Sequence, residues 1–261
     1  MQKQEKRAVF AVWITLRTVV LLVAVRCAFQ QRWESFFTCL LALVLFLAPS
    51  FAARQLRLRL PSAMEITVLI FIFCAEILGE VAAFYVKYPF WDTMLHTVNG
   101  FLFAAFGFSL ADLLNEERTL RFRLSPPFLA LAAFCFSMTA GVLWEFLEFA
   151  ADRLLPLDMQ KDTVLAGFHS VLLDPSHGNL PVPVRGITDT VISLADGRRI
   201  TVRGYLDIGL TDTMEDLFVN FLGAAAFSAI GAVYVRRRGK QPFAAAFIPT
   251  AAADAQKPPH A

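Results

Sequence analysis

Charge is scarce in this chain. Asp, Glu, Lys and Arg make up only 18% of its 261 residues, against about 25% in an ordinary soluble domain. That composition excludes a disordered chain and a nucleic-acid reader. Cysteine is sparse as well: Cys27, Cys39, Cys74 and Cys135 stand apart, form no CxxC pair, and lie inside or at the ends of apolar runs. No disulfide framework follows, and the thiols read as small buried groups. A Walker loop, a Gly-x-Ser-x-Gly turn and an HExxH motif are all missing, so serine- or cysteine-nucleophile chemistry has no support.

What the chain has in abundance is apolar surface. It is 57% hydrophobic, with 26 Phe, well above the ~45–50% of a soluble domain. A helix crossing a bilayer needs about 20 mostly apolar residues, and six stretches qualify: Ala8–Phe29, Trp33–Ala53, Ser62–Tyr85, Phe90–Leu114, Pro126–Ala151 and Thr213–Tyr234. The first makes a poor secretory signal, because Arg17 interrupts it, no Ala-x-Ala site follows, and Arg26 precedes Cys27. It reads as a retained helix. The predicted fold class is an all-α membrane protein of six transmembrane helices.

Basic residues give an orientation. Lys3, Lys6 and Arg7 precede the first span; Arg54, Arg57 and Arg59 follow the second. Arg118, Arg121 and Arg123 follow the fourth; Arg236, Arg237, Arg238 and Lys240 follow the sixth. Six spans bring all four clusters to one side, which the positive-inside rule makes cytoplasmic, with both termini. Trp33, Tyr85, Tyr88, Trp91 and Trp144 form an aromatic belt at the other boundary. The expected localisation is a bacterial inner membrane. The transmembrane domain covers 1–238. Its extracytoplasmic loop, about 153–211, carries a β-hairpin in which Asp196–Gly197 joins Thr188–Ala195 to Arg198–Tyr205. The Ala- and Pro-rich tail 239–261 reads as disordered.

Ionisable groups inside spans cost about 2.5–3.5 kcal/mol each on insertion scales, and their default reading is functional. Here they cluster. Glu76 and Glu80 lie near the outer end of the third span. Asp92 and His96, with Asn99, open the fourth; Glu145 and Glu148 close the fifth, before Asp152. Asp212, Glu215 and Asp216 open the sixth, with Asn220 and Gly223 on the same face as Asp216. Topology puts all of them at one depth. Nine carboxylates in such a layer need compensation from bound cations, from protons, or from Arg198, Arg199 and Arg203 of the hairpin.

Three explanations are open: a divalent-metal site, a proton or cation path, or carboxylates that reach the headgroup water, with Asp212 capping the sixth helix. Capping does not account for His96, Glu145 or Asp216, each about one turn inside a span. Arg17 is expected to pair with Glu65 or Glu76 or to snorkel inward. Asp158 and Asp162 repeat the spacing of Asp212 and Asp216, as a second ligand source or as a solvated turn. His169 and His177 read as exposed loop histidines.

Trp91-Asp92-Thr-Met-Leu-His96 with Gly100, Trp144-Glu145-Phe-Leu-Glu148, and Asp212-Thr-Met-Glu-Asp216-Leu with Asn220, Gly223 and Ala224 together resemble the YjdF-type family of small bacterial inner-membrane proteins. Their order also looks like that of VanZ-like proteins, which are linked to glycopeptide resistance and the cell envelope. The resemblance covers about 90–225 and implies that Asp92, His96, Glu145, Glu148, Asp212 and Asp216 occupy the family's polar positions. It brings no reaction with it. The hairpin separates Asp158/Asp162 from Asp212/Asp216, and adjacency to Asn-x-x-Gly-Ala favours the second pair.

The reading that follows is a metal-dependent envelope enzyme acting on a lipid-linked phosphate or peptidoglycan precursor. His96, Glu145 and Asp216, with Asp212 as a further candidate, would hold zinc, manganese or iron. Asp92 would orient His96 or join as a ligand, and Glu148 would be the general base. A small cation- or proton-coupled transporter and a structural or regulatory membrane protein are the alternatives.

Overall fold

The computed structural model describes residues 2–116, 124–155, 157–237 and 242–251. The basic residues Arg118, Arg121, Arg123, Arg238 and Lys240 lie outside the described residues, as do 252–261 of the tail. Among the described residues, six helices are long and apolar enough to cross a membrane: Gln4–Phe29, Trp33–Gln55, Ser62–Val81, Phe90–Leu114, Pro126–Leu154 and Leu210–Arg236. The chain divides into two compact units, one of Met1–Val142 with Asp216–Ala261, the other of Leu143–Glu215.

In the first unit, α1 (Gln2–Phe29) turns back at Gln31, which adopts a left-handed φ of 56°. Val20, Ala24 and Cys27 form the buried stripe of α1, and the first two pack with Cys39, Ala42 and Phe46 of the second span and Leu69, Ile72 and Ile77 of the third. Leu22 and Phe29 are exposed, as suits a helix whose solvent is acyl chain. The second span is α2 (Trp33–Leu45) and α3 (Ala48–Gln55), with Pro49 placed where a helix tolerates a missing N–H. Arg17 lays its guanidinium over the Trp13 ring, 4.5 Å from the centroid. Of the expected fates this is the snorkelling one, since Trp13 lies one turn toward the N-terminus.

The third span departs from expectation. After α4 (Ser62–Ile72) the backbone adopts a π-helix over Phe73–Val81 and stops at Ala83, whose φ is 59°. The apolar run continues to Tyr85, but its last residues fold as a separate turn, α5 (Phe84–Lys87). Gly79 makes that turn possible: a Cβ there would lie 2.3 Å from the Tyr85 ring. The Trp91 indole donates to the Cys74 carbonyl at 3.3 Å and ties the π-helix to the next span.

That next span, α6 (Phe90–Glu116), crosses α8 (Leu210–Arg236) at almost no separation. A Cβ on Gly100 would lie 2.1 Å from the Asn220 carbonyl oxygen, and one on Gly223 would lie 2.0 Å from that of Thr97. Leu102, Ala105 and Phe108 of α6, Leu129 and Ala133 of α7 (Pro126–Leu154), and Ala224 and Phe227 of α8 form the core below the crossing.

The C-terminal segment joins this core. Pro242–Ala245 form a helical turn, α9, with Ala244 and Ile248 buried; then β8 (Thr250–Ala251) pairs antiparallel with β1 (Leu58–Arg59). The disorder expected over 239–261 is thus not what Pro242–Ala251 show. The Ala and Pro content of the tail conceals Phe243, Phe247 and Ile248, spaced to present one apolar cluster.

The second unit holds three two-stranded antiparallel pairs. These are β2 (Thr163–Leu165) with β7 (Tyr205–Asp207), β3 (Gly167–Ser170) with β4 (Val182–Arg185), and β5 (Thr190–Ser193) with β6 (Arg199–Val202). The Asp196–Gly197 hairpin is present, closed by Gly197 N–H donating to the Leu194 carbonyl, with Gly197 at φ 85°. The other two pairs join short strands far apart in the chain, with no two-residue turn such as Asp196–Gly197 to reveal them.

Between β3 and β4, Asp174 organises a loop. Its carboxylate accepts from the amides of Ser176, Gly178 and Leu180 and from the Ser176 hydroxyl. These bonds, that of the hydroxyl foremost, hold its pKa at about 2. A lowered carboxyl pKa stabilises the fold above the ordinary value of 3.8, and that contribution is lost as pH falls toward 2. Pepsin cleavage of the exposed Leu172–Leu173 bond is therefore expected to rise between pH 4 and 2 more steeply than pepsin's own profile. In Asp174→Asn, cleavage should be rapid throughout and follow that profile alone. Parallel curves for the two chains would disprove the role.

A candidate metal centre between two membrane spans

Asp92 and His96 sit one turn apart near the start of α6, and Asp216 lies at the equivalent level of α8. His96 Nε2 is 3.5 Å from Asp92 Oδ1 and 3.7 Å from Asp216 Oδ2. One ligand atom from each residue lies within 4.8 Å of the others. His96 and Asp216 retain 8% and 4% of their surface, and Asp92 is half-buried. This trio belongs wholly to the first unit.

The separations have a chemical meaning. They are longer than the 2.7–3.2 Å of a good hydrogen bond. Two ligands held at about 2.0–2.1 Å by a tetrahedral ion stand about 3.4 Å apart. Asp92, His96 and Asp216 could therefore hold a divalent ion with small side-chain adjustments, a neutral imidazole and two carboxylates being a donor set suited to zinc, manganese or iron.

The crossing of α6 and α8 fixes this arrangement. Asn220, four residues below Asp216, is fully buried; its amide nitrogen reaches the Ser137 carbonyl and its amide oxygen accepts from Asn99, both at 3.5 Å. Ser137 in turn donates to the Gly100 carbonyl at 2.7 Å. The sequence flagged Asn99, Gly100, Asn220 and Gly223 but not Ser137, whose only signal is a hydroxyl in an apolar run, four residues before Gly141.

Glu145 and Glu148 are buried on α7, in the second unit, where Glu148 Oε1 accepts from the Trp144 indole at 2.8 Å. Asp212 Oδ2 accepts from the Lys161 amide at 2.7 Å. Asp207 takes a first-turn amide of α8, that of Thr211 at 2.8 Å. Asp152 accepts from the amides of Met159 and Gln160 at 2.6 and 2.8 Å. Asp158 and Asp162 share this loop, and desolvation, reinforced by the charges of Asp158, Asp207 and Asp152, pushes the Asp162 carboxyl above its ordinary pKa. Glu76 is half-buried on the π-helix, while Glu80 and Glu215 are exposed.

A chain with six membrane-spanning helices and an imidazole and two carboxylates drawn together between two of them is an integral membrane protein with a polar cluster inside its spans. It belongs to the family described as "Predicted membrane protein (DUF2238)", which matches residues 10–237. This is the uncharacterised, YjdF-type family that the three motifs resemble. An uncharacterised protein of Thermotoga maritima is 33% identical over 85 residues, a stretch covering 33% of this chain and 42% of the relative. The chain thus spans less than half the length of that curated relative. No solved structure matches.

Proposed function

We propose that this protein binds one divalent transition-metal ion through His96, Asp92 and Asp216 and uses it in cell-envelope chemistry. The observation that carries the reading is the spacing of the three buried or half-buried ligand atoms, 3.5 and 3.7 Å from the imidazole nitrogen. The distribution of Lys and Arg supports an orientation with both termini in the cytoplasm of a bacterial inner membrane, so the cluster would face the envelope. The envelope-facing location and the basic Arg198, Arg199 and Arg203 of the hairpin support a lipid-linked phosphate or peptidoglycan precursor as substrate. The ion would polarise a phosphoryl oxygen as a Lewis acid.

Glu145 and Glu148 enter on their chemistry and burial alone. They are buried carboxylates three residues apart on α7, and Glu148 is assigned the proton-accepting role.

Elemental mass spectrometry of the detergent-purified full chain tests the reading. About one equivalent of zinc, manganese or iron is expected to survive desalting. A well-folded preparation that holds none, even after incubation with each ion, would overturn it in favour of a proton path or a structural role.

A further inference from the structure

The C-terminal segment reaches the core of the bundle from the side opposite the metal cluster. Phe101, on α6, is the centre of an aromatic group: its ring centroid is 4.9 Å from Phe227, 5.3 Å from Phe247 and 6.3 Å from Phe243, all edge-on. Phe101 lies midway along its span of 25 residues, and Phe243 follows the end of α8 at Arg236 by seven residues. The chain therefore leaves the sixth span and doubles back to mid-span depth.

Irregular backbone at that depth is tolerated only where protein buries it. The inner part of this segment meets the condition, while Pro242, Phe243, Ala245 and Thr250 are exposed. Ala244, Ile248 and Pro249 are buried, and the amides of Ala246 and Phe247 are bonded to the carbonyls of Pro242 and Ala244. The β1–β8 pairing anchors its far end.

Phe101 also belongs to the crossing that aligns the metal cluster. It follows Gly100, and its amide nitrogen would lie 2.9 Å from a Cβ placed on Gly223. His96 is five residues before it on α6, little more than one turn. A change in what presses on Phe101 thus acts on the helix pair that carries His96 and Asp216.

We propose that Pro242–Ala251 is a re-entrant wedge that sets the α6–α8 crossing, so that its seating controls the affinity of Asp92, His96 and Asp216 for a divalent ion. The affinity part rests on the proposed metal centre; the wedge itself does not. A partner or modification acting on the C-terminal segment would thereby reach a site on the opposite side of the bilayer.

Hydrogen exchange and ion titration of the full chain in lipid nanodiscs, beside Phe243→Ala/Phe247→Ala and the milder Phe247→Ala, decide it. In the parent chain the amides of Ala246 and Phe247 should exchange slowly. In the double variant they should exchange at least 10-fold faster, with increased exchange along 95–102 and 216–223. Affinity for zinc or manganese should fall about 10-fold, and by less in the single variant. Rapid exchange at Ala246 and Phe247 in the parent chain would overturn the wedge. Variants that unseat the segment yet leave exchange at the crossing and ion affinity unchanged would overturn the coupling. If neither parent nor variants bind an ion, the metal centre fails, and the exchange data still judge the wedge.

Discussion

His96→Ala is expected to abolish retention of the divalent ion, and Asp92→Asn to weaken it by about 10–100-fold. The asymmetry comes from position. His96 Nε2 stands between the two carboxylates, 3.5 Å from one and 3.7 Å from the other, and is the one nitrogen donor of the trio. Removing it leaves two carboxylates facing each other across a gap in a medium that favours neither charge. Asp92 lies at the wetter edge, and an asparagine there keeps an oxygen donor to the ion or to the imidazole. Its loss should therefore fall in the range seen when a partner that orients a ligand is removed. Asp216→Asn should fall between the two, since Asp216 is the more deeply buried carboxylate. The readout is competition with a fluorescent chelator, using chains whose thermal unfolding matches that of the parent. Equal affinities for all four chains would place the ion elsewhere.

The second large effect is expected at Gly223. A valine there puts its Cβ 2.0 Å from the Thr97 carbonyl oxygen and 2.9 Å from the Phe101 nitrogen, which are backbone atoms that no rotamer change can move aside. The helices must separate. Overpacking of this kind costs about 1–3 kcal/mol, and an immovable neighbour argues for the upper end. Separation also draws His96 away from Asp216, so Gly223→Val should lose ion affinity as well as stability. Gly79→Ala is the control: its new methyl would meet the outer edge of the Tyr85 ring, the far end of a flexible, half-buried side chain. It should cost less and leave ion affinity intact. If Gly223→Val melts like the parent in detergent and binds the ion equally well, the crossing does not fix the cluster.

The spans were legible because each is a run of apolar residues longer than any soluble core helix requires, a signal that survives errors of a few residues at either end. Asp92 and His96 were legible by spacing, and Asp216 because the Asn220 and Gly223 stripe continues its face. Other features turn on backbone geometry that residue type does not encode. Glu76 and Glu80 apart, the residues of the π-helix Phe73–Val81 are those of an ordinary apolar α-helix. Asp207 and Asp212 are both acids near the start of α8, and residue type alone does not single out Asp207 as the acceptor of the Thr211 amide. The C-terminal wedge escaped notice for a different reason, in that ten ordered residues lie within a tail whose average composition resembles a linker.

The pairing of β1 with β8 bears on how the protein is made. Leu58 and Ala251 face each other in register although 193 residues separate them in sequence. Ribosomes add roughly 5–20 residues per second, so the second span is in place roughly 10–40 s before its partner strand exists. Throughout that interval Leu60, Met64 and Val68, which end up packed in the cluster that holds Ala244 and Ile248, have no C-terminal segment to cover them. During biogenesis lipid tails or an insertase must occupy that space, and Pro242–Ala251 must displace them once it is made.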